Sequence, residues 1–127
     1  MKKYYIFAIN NKNYNLYRNN KYLLFSMLKN LYYLDDEYLN YGVSIYDQLC
    51  IPINKEIINN YYQEYKYFTN KFYINENIIS INNACIVLLT KNFSLNVVKR
   101  LCYYVYPLFV CNFDNGEYFF LESNLIH

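Results

Sequence analysis

Lys3-Tyr4-Tyr5-Ile6-Phe7-Ala8-Ile9 is apolar at both alternating sets of positions. A strand with one wet face alternates apolar with polar, so this run predicts a strand covered on both sides. Read with the preceding Met1-Lys2, it also resembles the start of an export signal. The apolar run stops at once in Asn10-Asn11-Lys12-Asn13, without a small-residue cleavage site, and is too short for a signal core. The strand reading is the better one.

Working outward, Asn10 to Asn20 reads as a polar loop interrupted by Tyr14, Leu16 and Tyr17. Lys21 to Leu34 carries Leu24, Met27, Leu28, Leu31 and Leu34 at three- and four-residue spacing, an amphipathic helix with Asn20 as its expected cap. Asp35-Asp36-Glu37 suits the start of a second helix, about Asp36 to Gln48, because carboxylates oppose the positive end of the helix dipole. Gly42 weakens that helix. Pro52 breaks the chain, and Asn54 is placed to cap a third helix with Ile57, Ile58, Tyr61, Tyr62 and Tyr65 on one face. Lys66 to Lys71 gives no readable pattern.

The C-terminal half is more regular. Asn77–Ile81 and Ala84–Leu89 are apolar runs joined by Asn82-Asn83, which tolerates the positive φ of a type I′ turn. Ser94 is expected to cap a helix whose stripe is Leu95, Val98, Cys102 and Val105, ended by Pro107. A last hairpin follows, Leu108–Phe113 and Glu117–Leu121, with Asn115-Gly116 as a type I′ turn. That turn sets Phe113 opposite Tyr118, Cys111 opposite Phe120 and Val110 opposite Leu121. The order predicts an α/β chain of the α+β kind. It forms one domain, residues 1–127, with a largely antiparallel sheet of about five strands and helices packed on it.

Composition narrows the function classes. At 127 residues there is room for one core, and 55% hydrophobic against 17% charged residues is the balance of a folding chain. The net charge is +2, with lysines and arginines single or in short pairs, so no dense basic stripe marks a nucleic-acid surface. The 19 tyrosines accompany abundant Asn, Ile, Lys and Phe, all encoded by AT-rich codons, and are read first as base composition. Cys50, Cys85, Cys102 and Cys111 have no zinc spacing and sit in apolar stretches, so they are expected as reduced core residues of a cytoplasmic protein.

The usual entry points to catalysis are missing. Gly42 and Gly116 are too far apart for a phosphate loop, and the one histidine is the terminal His127, leaving no Ser/His/Asp or Cys/His set. The carboxylates are dispersed. The expectation is a chain that is not an enzyme and takes no metal, nucleotide or flavin cofactor.

Several short segments then stand in a telling order. Tyr4-Tyr5 opens the first strand, and a loop ends in Tyr17. A helix carries Phe25, Met27 and Leu28, and Tyr46 precedes Ile51-Pro52-Ile53. Near the end come Pro107-Leu108-Phe109-Val110 and Tyr118-Phe119-Phe120-Leu121. In order and spacing the chain resembles the family of the sporulation inhibitor of replication, SirA, of spore-forming Gram-positive bacteria. The resemblance spans nearly the whole chain and is weakest between Gln63 and Lys71. It implies an inhibitor that binds the N-terminal domain of the replication initiator DnaA and blocks initiation during sporulation, with no direct nucleic-acid, membrane or small-molecule partner expected.

The resemblance also implies a partner-binding set of Tyr14, Tyr17, Val43 and Tyr46. Tyr17 and Tyr46 match tyrosines of the family surface. Tyr14 falls one position from the family's loop phenylalanine, where this chain has Asn13. Val43 stands where relatives carry glutamine, and Ser123 replaces a proline. Tyr17 and Tyr46 are expected on one surface, where truncation would weaken binding and barely move the melting temperature. The departures at Asn13, Val43 and Ser123 leave open an α/β adaptor with a different protein partner. The tyrosines leave open a single-stranded nucleic-acid binder, recognised by salt-sensitive oligonucleotide binding.

Overall fold

In the computed structural model, which describes residues 1–122, the chain begins with strand β1 (Lys2–Ile9). Helices α1 (Asn11–Tyr17), α2 (Lys21–Tyr32) and α3 (Leu39–Leu49) follow, then β2 (Cys50–Ile51) and α4 (Lys55–Tyr61). Four strands come next: β3 (Lys66–Phe68), β4 (Lys71–Ile74), β5 (Asn77–Ile81) and β6 (Ile86–Thr90). Helix α5 (Leu95–Val98) precedes the closing pair β7 (Leu108–Asn112) and β8 (Glu117–Leu121). The sheet runs β3-β4-β5-β6-β1-β7-β8, every pair antiparallel, with β2 on β1 beyond the end of β6. The α+β class with an antiparallel sheet is as expected. The sheet has eight strands among the described residues, where about five were expected.

β1 is covered on both sides. Tyr4, Ile6 and Ala8 enter a core with Ile58 of α4, Tyr62 just after it, Val98 of α5, and Leu101. Tyr5, Phe7 and Ile9 face a second core with Leu24, Phe25 and Leu28 of α2 and Leu49 of α3. A residue alternation of two sends one set to each layer. The first core is anchored by polar contacts as well. The Tyr62 hydroxyl donates to the Val97 carbonyl at 2.7 Å, and the Arg100 guanidinium, paired with Glu64, lies over the Tyr62 and Tyr65 rings.

The missed strands have local causes. β3 and β4 form a hairpin through Thr69-Asn70, at φ 52° and 62°. Two positive values in a two-residue loop are the type I′ signature, here held by the Tyr67 hydroxyl donating to Asn70 Oδ1 at 2.8 Å. A β-branched threonine at positive φ is uncommon, so the turn carried no sequence signal. β2 is two residues long and has no period to read.

Where type I′ turns were expected, the structure has four-residue loops. Ile81 pairs with Ile86 across Asn82–Cys85, and neither Asn82 nor Asn83 has positive φ. In the last hairpin Asn112 pairs with Glu117, Cys111 with Tyr118 and Val110 with Phe119. The expected register is therefore off by two residues. Buried Asn112 is the reason: its Oδ1 accepts from the Asp114 and Asn115 amides at 3.0 and 3.2 Å, turning the chain early. A slip of two keeps each side chain on its face, so Phe113 and Tyr118 still share the second core. Only Gly116 of the loop has positive φ, 79°.

Asn10 to Asn20 is not a loop throughout. Asn10 Oδ1 accepts from the Asn13 amide at 2.9 Å and caps α1, overriding the weak helix propensity of an asparagine-rich segment. Asn20 makes no side-chain cap bond, while Asn54 caps α4 and Ser94 caps α5 as expected. The stripe from Leu95 does not run on to Val105, because α5 passes into a 3-10 turn, Lys99–Tyr103, and Val105 is exposed. Ser123 lies outside the described residues.

Candidate functional site

α1, α2 and α3 cover only one end of the sheet's second face. α3 is the least embedded. It buries Leu49, half-buries Ile45 and Tyr46, and leaves Leu39, Tyr41 and Val43 in solvent. Between α2 and α3 an apolar groove of about 360 Å³ opens onto the sheet. Its floor is Tyr5, Phe7 and Cys85, one wall is Leu28, Leu31 and Leu34, and the other is Leu39, Gly42, Val43 and Tyr46. Asp35 and Asp36 close one end, and Tyr32 stands on the lip.

The sequence builds this opening at two points. A Cβ at Gly42 would lie 2.8 Å from Leu34 Cδ2, so glycine lets the end of α2 press against α3 and sets the groove's depth. Asp36–Tyr38 is a short 3-10 turn joining α2 to α3, and Asp35, Asp36 and Glu37 are exposed. The carboxylates sit at the amino-terminal side of α3, as the helix-start reading required, and also place negative charge at the groove mouth.

Tyr46 fixes α3 to the loop between β5 and β6. It is half-buried, and its hydroxyl donates to the Ala84 carbonyl at 2.7 Å. Burial, then the neighbouring Cys50, holds its acidity well below that of a free tyrosine. The expectation that its truncation leaves stability untouched does not fit this position. Cys85 in the floor is buried, and that burial pushes its thiol up to about 11, so it is protonated at neutral pH. The groove offers apolar area with a negative rim.

The four residues of the expected set divide. Val43 and Tyr46 line the groove, with Val43 half exposed. Tyr14 lies on the far side of the covered face. Its ring meets Phe120 of β8 edge-on at 5.0 Å, and its hydroxyl is 3.4 Å from Glu122. Tyr17 is half-buried against the same core and does not line the groove. Asn13 donates to Asn10 Oδ1 and to the Gln48 carbonyl at 2.6 Å, tying α1 to the end of α3. Leu34 and Gly42 were read only as helix residues and Leu39 not at all, so none of the three was expected at a site. A signal existed, since the second helix carries more apolar residues than one buried stripe uses.

Among the described residues no helix is long and apolar enough to cross a membrane, and no three His, Cys, Asp or Glu side chains converge as metal ligands. No protein-family model matches the chain, and no curated protein is significantly similar to it.

Proposed function

We propose that this chain acts by binding a protein, without catalysis, and takes an apolar segment of its partner into the α2–α3 groove. The observation that carries this reading is the groove itself: about 360 Å³ of apolar space edged by exposed Leu39 and Val43. Exposed apolar surface gathered into a concave site is the usual mark of a docking surface. Asp35 and Asp36 at its end favour a partner with lysine or arginine beside the apolar segment. The partner implied by the SirA resemblance is the N-terminal domain of the replication initiator DnaA, bound in the cytoplasm, with blocked initiation as the consequence.

Calorimetric titration of that domain into this protein tests the reading. Saturable binding is expected, reduced about thirtyfold or more by Val43→Asp, which places a charge in the apolar wall. Binding that survives Val43→Asp but is lost on Tyr14→Ala would move the site to α1. Absence of binding by the wild type would remove this partner and favour an adaptor for another protein.

A further inference from the structure

The helices that form the groove stop short of half the sheet. Beyond Tyr5, the same face continues across β6, β5, β4 and β3, where neither core includes the outward side chains. The strand register fixes what this bare face carries. One row across the sheet runs Lys66, Tyr73, Ile78, Leu89, Lys3; the next begins Phe68, Lys71 and passes through Ser80 to Val87. At the strand spacing of an antiparallel sheet the first row spans roughly 19 Å.

Its chemistry is one-sided. Lys3, Lys66 and Lys71 are exposed, Lys3 with its Nζ 5.2 Å from the centre of the Tyr5 ring, and these two rows contain no carboxylate. Glu76, in the turn between β4 and β5, is paired with Lys91 at 3.6 Å. Phe68 is 67% exposed and Tyr73 36%, Leu89 is half-buried, and Val87, beside Tyr5, is buried. Lysines bracketing open aromatic rings on a sheet are the elements of a single-strand platform, in which bases stack on the rings and phosphates meet the cations. The positive charge argues against an apolar or basic peptide as occupant.

We propose that the β3–β6 face binds single-stranded nucleic acid, with Phe68 and Tyr73 as stacking surfaces and Lys3, Lys66 and Lys71 as phosphate contacts. The site meets the groove only at Tyr5, and its assignment does not depend on the groove's.

Fluorescence anisotropy with a labelled oligothymidylate of about 16 nucleotides tests it on the full chain. Saturable binding at low ionic strength is expected. Three neutralised phosphates on a single strand give a log–log salt slope of about −2. Phe68→Ala combined with Tyr73→Ala should weaken binding about tenfold or more at unchanged slope, and Lys66→Glu with Lys71→Glu should flatten the slope. Val43→Asp should leave the titration unchanged. All these positions are exposed, and circular dichroism melts check that each variant is folded. Three results would overturn the proposal. One is no oligonucleotide binding by the wild type. Another is equal binding to a duplex or to polyglutamate. The third is preference for phosphatidylserine vesicles, which would make the face a membrane contact.

Discussion

The groove and the bare face lie on the same side of one sheet, and Tyr5 of β1 borders both. The groove is walled by two helices and rimmed by Asp35 and Asp36. Away from the groove the face has no helix wall, and its two rows carry Lys3, Lys66 and Lys71. Both expose apolar groups, yet a walled cleft suits side chains inserted from a folded partner, while an open cationic face suits a flexible chain of phosphates. The difference teaches that a small net charge can conceal two surfaces of opposite sign. The value of +2 for the whole chain describes neither of them.

Substitutions can separate the two regions by how strongly each is coupled to the fold. Tyr46→Ala should show the largest effect, because it removes a half-buried ring and its bond to Ala84. A loss of about 2 kcal/mol is expected, about 8 °C in melting temperature for a chain of this size, together with lost groove binding. Tyr46→Phe keeps the ring and should cost only about 1 kcal/mol. If Tyr46→Ala melts like the wild type, α3 is not held through this residue and the groove wall is misassigned.

Alkaline pH acts on the covered part of the molecule. Burial pushes Cys50 up to about 12 and Cys85 up to about 11, and it holds Tyr4 near 12 with help from Glu117. All three stay neutral in the fold at pH values where the unfolded chain ionises. Their contribution is therefore complete below about pH 9 and is lost as pH rises through 9 to 12. Urea midpoints should fall across that window, and Lys66→Glu should leave the shape of the curve unchanged. A flat profile to pH 11 would show these groups to be solvated.

Gly42→Ala sharpens the contrast further, since it exchanges stability against binding. Alanine favours the helix by up to about 1 kcal/mol, but its Cβ must displace the Leu34 side chain into the groove. Stability should change by less than about 1 kcal/mol while partner binding falls. Unchanged binding would show that the groove does not receive the partner. The smallest effect belongs to the bare face: Lys66→Glu and Lys71→Glu should each alter stability by no more than about 0.5 kcal/mol, measured by thermal melts. A larger loss would mean that these lysines hold the β3–β4 hairpin in place.

Of the four residues expected at the partner surface, two line the groove and two do not. Val43 and Tyr46 came from the family resemblance, and the structure puts both on one groove wall. Tyr14 and Tyr17 came the same way and lie elsewhere, because α1 packs them on the second core with Phe120. Leu34 and Gly42 were unreadable as site residues, since their meaning lies in an approach of 2.8 Å between segments joined only by a short turn.

What the sequence determined by itself was local and periodic. The doubly apolar run of β1, the three- and four-residue spacing of α2 and the caps at Asn54 and Ser94 each follow from neighbours within a few residues. Face assignment in the last hairpin survived even a wrong turn, because alternation by two is unchanged by a slip of two. The tertiary structure decided which faces remain bare and which charges meet. Lys3 and Lys66 are 63 positions apart in sequence and are brought into one row by four strand pairings. No local pattern encodes such a juxtaposition, because a strand's periodicity says which way a side chain points but not what lies across the sheet or whether a helix covers it.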